Sequence, residues 1–296
     1  MKQRSNANQE ELEWIVEEPS ELLKFLFAAM PSRSRKSVKD HLSHGQVFVN
    51  GEGTTQFNDP LEHGDHVKIL PKIASKNVKI KGIKILHEDD DIVVIEKDAG
   101  ILSIASDKEK QLTAYRQLAT YLKEVNPKNR IFVVHRLDRE TSGIMIFAKS
   151  KYIQQKLQNA WKEAVPERMY IALVEGKVKE SGTITSWLTE NKALIMRSSK
   201  NPNKGKKAVT HYEILKSDRN FTLLQVNLET GRKNQIRVHM QEIGHPIVGD
   251  KKYGSRINPI GRIGLHAHAM SFIHPTTKAT MRFESAIPKS FTKKIN

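Results

Sequence analysis

Asp138 is the residue of this sequence best placed to do chemistry, because it lies between two arginines, Arg136 and Arg139, in a polar turn. Positively charged neighbours favour the ionised form of a carboxyl group. An ionised and oriented carboxylate can act as a nucleophile or as a base. Taken alone, residues 138–141 could also form a solvated turn that satisfies its own backbone, and for an isolated turn that interpretation is the better one.

Two predicted strands hold this turn. Residues 131–134 and 144–148 are short apolar runs, a pattern typical of buried strands. Binding and catalytic residues concentrate on loops that a rigid scaffold positions. The flanking strands therefore favour a functional loop over a solvated surface turn.

The segment 135–143 reads H-R-L-D-R-E-T-S-G and resembles the signature H-R-L-D-x-x-T-S-G of the RluA-type pseudouridine synthases. The resemblance continues in order through K-D-A-G at 97–100, Y-I-A-L-V-E-G at 170–176, G-R-K-N-Q-I-R-V-H at 231–239 and L-H-A at 265–267. Several ordered matches arise by chance far less often than one. The sequence is therefore identified as a member of this family.

The resemblance implies an enzyme that isomerises uridine to pseudouridine in RNA without a cofactor or a metal. The bond from the sugar to N1 of the base breaks, the base turns, and the sugar is joined to C5. One carboxylate suffices, by attack on the base, by attack on the sugar or by removal of a sugar proton, and the sequence leaves these routes open. Glycoside hydrolysis, in contrast, ordinarily needs two carboxylates and a water.

The resemblance also implies which residues form the site. Asp138 is the catalytic acid, and Arg237 pairs with it through a fork of donors that keeps it charged in a dry pocket. Tyr170 offers a flat face that stacks on the target base and is a candidate for moving the C5 proton. Arg136 enters the RNA helix in place of the flipped nucleotide, and Leu265 forms an apolar wall of the pocket.

Without the resemblance, these side chains have simpler interpretations. Tyr170 and Leu265 would be core residues of strands. Arg237 would be a solvated arginine, because it lies off the centre of the apolar stripe that Ile236, Met240 and Ile243 form on a predicted helix from about 233 to 243.

The sequence departs from the family pattern at two places. Asp98 stands where the family usually has proline, which changes the stiffness of a turn. Lys233 and Asn234 stand where the family usually has threonine and histidine, close to the expected position of Arg237. We expect local hydrogen bonding or substrate choice to differ there, although no residue assigned to catalysis is lost.

The composition fits a cytoplasmic protein that binds nucleic acid, and it also fits a soluble basic protein without such a partner. The chain has 296 residues and a net charge of +16, so its field favours a polyanion such as RNA. It contains no cysteine, which excludes disulfides, thiolate catalysis and cysteine-ligated metals. No secretory signal or membrane-length apolar run is present. We expect a cytoplasmic monomer that binds RNA and does not contact a membrane. Its expected substrate is large-subunit ribosomal RNA, with tRNA as the alternative.

The first part of the chain predicts a small RNA-binding domain. After a flexible segment at 1–16, residues 17–72 contain two helices, the first capped by Ser20 and the second ending at Gly45, and then two strands. This order resembles the S4-like, or alpha-L, domain. Arg33, Arg35, Lys36 and Lys39 crowd its second helix, where a phosphate backbone could lie. The alternative is a solvated helix face.

Residues 73–84 are lysine-rich and predict a linker, and residues 85–296 predict the catalytic domain. Strands are expected at 91–97, 169–178, 209–215 and 221–228, with a helix after Ser150. Because few helices separate the strands, the fold class is α+β, a pseudouridine synthase-like domain with a mostly antiparallel mixed sheet. Residues 197–207 form a basic loop that is either a phosphate contact, which we slightly favour, or a flexible hairpin tip.

Two other functions compete with this one. A metal enzyme is conceivable because His266 and His268 lie on one side of a strand, with His239 and residues 89–91 as further ligands. Structural histidines are the better interpretation. A non-catalytic RNA-binding protein that uses the S4-like domain alone is the second alternative, and the ordered motifs of the long second domain argue against it.

Overall fold

A computed structural model describes residues 12–43, 46–69, 80–107 and 109–295. The chain divides into two compact units, a small unit of residues 1–79 with 119–130 and a large unit of residues 80–118 with 131–296. The large unit contains every motif that the sequence links to catalysis.

The small unit packs two short helices on a small antiparallel sheet. Leu22, Leu26, Val38 and Leu42 of the helices are fully buried and form a core with Val67 of the sheet. The strands of the four-stranded sheet in the described part of this unit follow the order β1-β6-β3-β4, and β2 pairs with β5. The elements are β1 (Leu12–Ile15), β2 (Ser20–Glu21), α1 (Leu22–Ala29), α2 (Arg35–Ser43), β3 (Val47–Val49), β4 (Glu52–Thr54), β5 (Pro60–Leu61) and β6 (His66–Ile69).

Three predictions for this unit meet the structure differently. Leu12–Ile15 is a strand paired with β6, so the flexible segment cannot extend to residue 16 as predicted. The predicted cap of α1 is wrong. Ser20 belongs to strand β2 and pairs with β5, and Glu21 is the N-cap residue, whose side chain forms no capping hydrogen bond. The predicted stop at Gly45 lies outside the described residues.

The large unit is built on one extended sheet. Its elements are β7 (Ile83–Glu88), β8 (Ile92–Lys97), α3 (Ala114–Val125, whose second half belongs to the small unit), β9 (Phe132–Val133), β10 (Ser142–Ala148), α4 (Lys151–Asn159), α5 (Trp161–Ala164), β11 (Glu167–Glu175), β12 (Gly182–Glu190), β13 (Met196–Ser199), β14 (Lys206–Ser217), β15 (Phe221–Leu228), α6 (Gln235–Glu242), a 3-10 turn (Lys251–Tyr253), β16 (Leu265–Ile273), β17 (Thr280–Glu284) and α7 (Lys289–Thr292).

The main path of the sheet runs β13-β12-β14-β15-β11-β16-β10-β8-β7, with β17 on β16 and β9 on β10. Among the described strands, β10 and β16 are the one parallel pair, and every other pair is antiparallel. The predicted α+β class with a mostly antiparallel mixed sheet is therefore confirmed.

The parallel pair depends on Gly143. Its φ of +114° lies in a region that favours glycine, and a Cβ built on it would lie 2.1 Å from the carbonyl oxygen of Ala267. Glycine therefore allows β10 to approach β16 closely, five positions after Asp138. The close approach of β16 therefore explains why the signature ends in glycine.

Helices cover this sheet through apolar faces. Ile153 and Leu157 of α4 pack on Ile144 and Ile146 of β10, and Ser150 caps α4 by accepting from the Ile153 N–H at 3.1 Å, as predicted. The apolar stripe of α6 packs on β11 and β15, which also confirms the prediction. None of the described helices is long and apolar enough to cross a membrane.

Several predicted boundaries in this unit are wrong. Ile83 and Lys84, assigned to the linker, begin β7, while the rest of the linker up to residue 79 lies outside the described residues. β11 ends at Glu175 rather than 178, because Gly176 turns the chain with a φ of +76°. The basic loop is shorter than predicted, since residues 197–199 belong to strand β13 and residues 206–207 belong to β14.

Candidate active site

The loop that carries Asp138 connects β9 to β10 and is anchored on its neighbours. Ser103 Oγ donates to the Leu137 carbonyl at 2.7 Å and accepts from the Leu137 N–H at 3.1 Å. The Thr141 N–H donates to the Asp138 carbonyl at 3.1 Å, which closes the turn after the acid. Backbone bonds on both sides of Asp138 thus fix where its side chain starts.

Lys97 ties a second loop to this one. Its ammonium is fully buried and donates to the carbonyl oxygens of Asp98 at 3.0 Å, Ile101 at 2.8 Å and Arg139 at 3.2 Å. Burial, together with the nearby Arg262, lowers the pKa of Lys97 to about 8. The lysine of K-D-A-G therefore holds the residue next to Asp138 in place.

Arg237 connects Asp138 to a second carboxylate. Its Nη1 donates to Asp138 Oδ2 at 3.0 Å, as predicted, while Nε and Nη2 donate to the two oxygens of Asp250 at 2.6 and 2.8 Å. The ring of Tyr253 lies 4.9 Å from the guanidinium. Burial opposes the charge, but the bonds and charge of Asp250 raise the pKa of Arg237 overall. Arg237 is therefore a permanent cation beside Asp138.

Asn234 is a second donor to Asp138. Its Nδ2 lies 2.5 Å from Asp138 Oδ2, the same oxygen that Arg237 contacts. Lys233, the other departure from the family pattern, points elsewhere and pairs with Glu190.

The residues assigned by resemblance converge on one pocket. Asp138, Tyr170, Arg237, Arg136 and Leu265 all line a recess of about 80 Å³. A larger cleft of about 590 Å³ adjoins it and shares several of these residues. The pocket combines an apolar wall, an aromatic ring and a carboxylate, which suits a flat polar base.

Tyr170 lies on β11, where a bulge before it shifts the register with β16. Burial raises the pKa of Tyr170 to about 12, so its phenol is neutral near pH 7. The residue can therefore offer a ring face and a hydroxyl proton, but not a phenolate, to a bound base. Leu265 begins β16 and is buried.

Arg136 is exposed, whereas Asp138, Tyr170, Arg237 and Leu265 are partly or fully buried. The guanidinium of Arg136 forms no hydrogen bond or ion pair with any residue that the structure describes. Arg139, in contrast, donates to the Gly100 carbonyl at 3.1 Å and lies 3.5 Å from Glu140. Arg136 is therefore available to a ligand, whereas Arg139 is engaged within the protein.

The predicted basic patch lies on the small unit. Arg35, Lys36 and Lys39 of α2 are exposed and Arg33 is partly buried, and Arg35 also stacks on the ring of Phe27 at 5.6 Å. Arg35, Lys36 and Lys39 therefore lie on one helix, and Arg33 lies in the turn before it.

The histidines considered as metal ligands have structural partners. His266 Nδ1 lies 2.7 Å from Ser142 Oγ, and its Nε2 lies 3.1 Å from Ser285 Oγ. His239 lies between Ser186 and Thr210, at 2.9 and 2.8 Å. Within residues 12–43, 46–69, 80–107 and 109–295, no three histidines or acids are grouped closely enough to hold a metal ion.

Four supporting residues of the site were not predicted from sequence, namely Lys97, Ser103, Asn234 and Asp250. A lysine that ends an apolar strand, as Lys97 does, is a usable signal, and Asn234 was noticed as a departure from the family pattern. Ser103 and Asp250 are ordinary loop residues, and only the fold brings them to Asp138 and Arg237.

Comparison with known proteins identifies relatives along most of the chain. A family model described as RNA pseudouridylate synthase matches residues 91–242. The uncharacterized RNA pseudouridine synthase YjbO of Bacillus subtilis is 34% identical over 85% of this chain and 90% of its own. Ribosomal large subunit pseudouridine synthase D of Neisseria meningitidis serogroup A is 31% identical over 88% of this chain and 73% of its own.

Solved structures share the fold. Human RNA pseudouridylate synthase domain containing 4 superposes with a TM-score of 0.57 at 24% identity and covers 70% of this chain and 90% of its own. Human RNA pseudouridylate synthase domain containing 1 gives 0.56 at 24% identity, covering 71% and 86%. At this identity the likeness concerns the fold alone.

Proposed function

This chain belongs to the RNA pseudouridylate synthase family, and we propose that it isomerises specific uridines of large-subunit ribosomal RNA with Asp138 as its catalytic carboxylate. The observation that supports this most is the convergence of Asp138, Tyr170 and Arg237 on one pocket, although they are far apart in sequence. Pseudouridine synthesis is an isomerisation, so the enzyme class needs no second substrate.

The reaction breaks the bond from C1′ to N1 of uracil and forms one from C1′ to C5. The proton on C5 is lost and N1 gains a proton, so the product has the same composition as the substrate. Asp138 supplies the electron pair, by attack on the sugar or the base or by removal of a sugar proton. In each route, Arg237 holds the carboxylate of Asp138 in place through the hydrogen bond from its Nη1.

The other pocket residues act on the target base in this proposal. Tyr170 stacks on the uracil, and its neutral phenol can exchange a proton near C5. Leu265 packs on the ring from the apolar wall. Arg136 fills the space that the extruded nucleotide leaves, because its guanidinium is exposed at the pocket rim without a partner among the described residues.

Two observations favour ribosomal RNA. Relatives from three genera, Neisseria, Yersinia and Haemophilus, carry the name ribosomal large subunit pseudouridine synthase D. In addition, the small unit presents Arg35, Lys36 and Lys39 on one exposed helix face, with Arg33 beside it. Such a patch suits a phosphate backbone, as in the S4-like domain that its helix-helix-strand-strand order resembles.

The proposed enzyme works as a cytoplasmic monomer. The three residues assigned to catalysis, Asp138, Tyr170 and Arg237, meet in one pocket within one chain. Light scattering coupled to gel filtration tests this, and a dimer at micromolar concentration would contradict it.

The decisive experiment maps pseudouridine in total RNA from cells with the gene, without it, and with an Asp138→Ala copy. We expect one or more sites of large-subunit RNA to disappear in the last two strains. Loss of a tRNA site alone would change the substrate to tRNA. Loss of no site, or restoration by Asp138→Ala, would exclude the proposed activity.

A further inference from the structure

Asn234 has an unusual backbone conformation for an N-cap residue. It is the N-cap residue of α6, yet its φ of 53° and ψ of 22° are left-handed, and its side chain caps no backbone N–H. An N-cap asparagine ordinarily has extended backbone and accepts a hydrogen bond from the first turn. Asparagine tolerates the left-handed region better than most residues. The backbone therefore aims this side chain away from its own helix.

The side chain of Asn234 donates to Asp138 instead. Nδ2 lies 2.5 Å from Asp138 Oδ2, and Arg237 Nη1 lies 3.0 Å from the same oxygen. No hydrogen bond from the described residues reaches Oδ1. Both donors therefore bind one oxygen and leave the other with its electron pairs unshared.

Tyr253 determines which way the amide of Asn234 faces. Its hydroxyl accepts from the Met196 N–H at 3.1 Å and donates to Asn234 Oδ1 at 3.4 Å. Burial raises the pKa of Tyr253, so the phenol keeps the proton that it donates. A flipped amide would set its oxygen against the Asp138 carboxylate and its NH₂ group against the phenol, so the observed orientation satisfies both partners.

We propose that Asn234 is a positioning residue, whose amide joins Arg237 on Oδ2 of Asp138 so that Oδ1 is the oxygen that reacts with the target uridine. The inference rests on the proposed function of Asp138. It applies to each route, because attack on sugar or base and removal of a proton all require an unshared electron pair on a correctly turned carboxylate. It also gives the departure at position 234 a role, since an amide here provides the N–H donor.

Three variants of Asn234 separate positioning from folding. Asn234→Gly keeps the left-handed backbone and removes the amide. Asn234→Asp keeps the shape but replaces the donor with a second carboxylate, which repels Asp138 and competes for Arg237. Asn234→His restores an N–H donor on a residue that also occurs in the left-handed region.

A matched control exists in the small unit. Asn50 has the same φ of 53°, and its Nδ2 donates to Asp65 Oδ1 at 2.8 Å. Asn50→Gly therefore removes the same kind of bond from the same kind of backbone, at a residue that does not line the pocket. A general effect of losing such a bond would appear in both glycine variants.

The test measures single-turnover pseudouridine formation on an unmodified transcript of large-subunit ribosomal RNA, together with the Kd for that transcript and the thermal midpoint. We expect the rate constant to fall about 30-fold for Asn234→Gly and further for Asn234→Asp, because removal of one oriented donor at a charged group typically costs tenfold or more. Asn234→His is expected to recover most of the rate. Kd and the midpoint are expected to change little, and Asn50→Gly to keep the wild-type rate.

The inference is wrong if Asn234→Gly and Asn234→Asp turn over like the wild type, or if Asn50→Gly loses as much rate as Asn234→Gly. It is also wrong if the loss appears only in Kd or in the thermal midpoint. An Asp138→Asn variant measured in parallel tests the proposed function of Asp138 separately from the positioning role of Asn234. If it stays active, the proposed role of Asp138 fails, whereas a dead Asp138→Asn beside active Asn234 variants overturns this inference alone.

Discussion

Two carboxylates bind the same guanidinium, and they differ in every other respect. Asp250 takes two hydrogen bonds from Arg237 and its side chain is only 1% exposed. Asp138 takes one and its side chain is 34% exposed. The buried acid holds the arginine in place, while the partly exposed acid keeps an oxygen for a ligand. Burial and the number of hydrogen bonds thus distinguish the supporting carboxylate, Asp250, from the carboxylate proposed to react, Asp138.

The same division separates two sets of residues in the large unit. The cleft-facing residues are Asp138, Tyr170 and Arg136, which line the pocket. The supporting residues are Asp250, Lys97 and His266, which are buried and bonded to protein groups. We expect changes in the first set to reduce activity at nearly constant stability, and changes in the second set to reduce stability.

Asp138→Asn should have the largest effect. The amide keeps the shape but supplies neither a negative charge nor a basic oxygen, so we expect turnover to fall by about 10⁴-fold. Because the side chain is partly exposed, the free energy of unfolding should change by less than about 1 kcal/mol. Single-turnover assays and urea denaturation measure the two quantities. Turnover within tenfold of the wild type would show that Asp138 is not the carboxylate that reacts.

Asp250→Asn should mainly affect stability. The change leaves the Arg237 cation buried without its bidentate partner, and removal of one member of a buried ion pair costs about 3 kcal/mol. Urea denaturation of this variant beside Asp138→Asn makes a matched pair, since both remove one negative charge from Arg237. Equal stability of the two variants would mean that burial does not separate their roles.

His266→Gln tests the supporting role of His266 through the pH dependence of stability. Burial, with Arg262 and His268, lowers the pKa of His266 to about 4 from its ordinary value of 6.5. Between these values the unfolded chain binds a proton that the folded chain does not, so stability rises with pH across this window. Glutamine can accept and donate like the neutral ring but does not titrate.

We therefore expect the advantage of the wild type over His266→Gln to be fully present above pH 6.5 and to shrink by about 3 kcal/mol as pH falls to 4. Urea midpoints of both proteins across this range give the difference. A difference that is independent of pH would show that His266 is not held neutral by the fold.

Much of the fold follows from local pattern, and the exceptions have physical causes. The strand at 221–228 and the helix after Ser150 have the predicted positions, because their apolar spacing and cap are local signals. β12 was not predicted, since Ser186 takes a core position between Ile184 and Leu188 and interrupts the alternation. That serine is tolerated because it bonds His239 in the core.

Only the site residues that lie within the sequence motifs could be assigned a role from the sequence. The pairing of Arg237 with Asp138 was expected from the resemblance, and the structure places the two together. Asp250 was not expected, because an acid after a glycine in a loop carries no pattern that points to a residue thirteen positions earlier. The Asn234 bond depends on a left-handed backbone that the sequence does not announce. Supporting contacts of this kind come from the fold rather than from spacing.

The two arginines beside Asp138 also differ in whether they are available to a ligand or engaged within the protein. Arg136 has no partner among the described residues, whereas Arg139 is tied to Gly100 and Glu140. If Arg136 replaces the extruded nucleotide, its contribution should appear only when the target uridine must leave a helix, since extrusion from a duplex costs a few kcal/mol and an unpaired base costs less.

We therefore expect Arg136→Met to lower kcat/KM by about tenfold on RNA whose target uridine is base-paired and by less than about threefold when the pairing strand is omitted. Arg139→Met carries the same loss of charge and should have a small effect that is equal on both substrates. A uniform loss for Arg136→Met would mean that it only attracts the phosphate backbone. Equal behaviour of the two variants would mean that the free arginine is no closer to the chemistry than the engaged one.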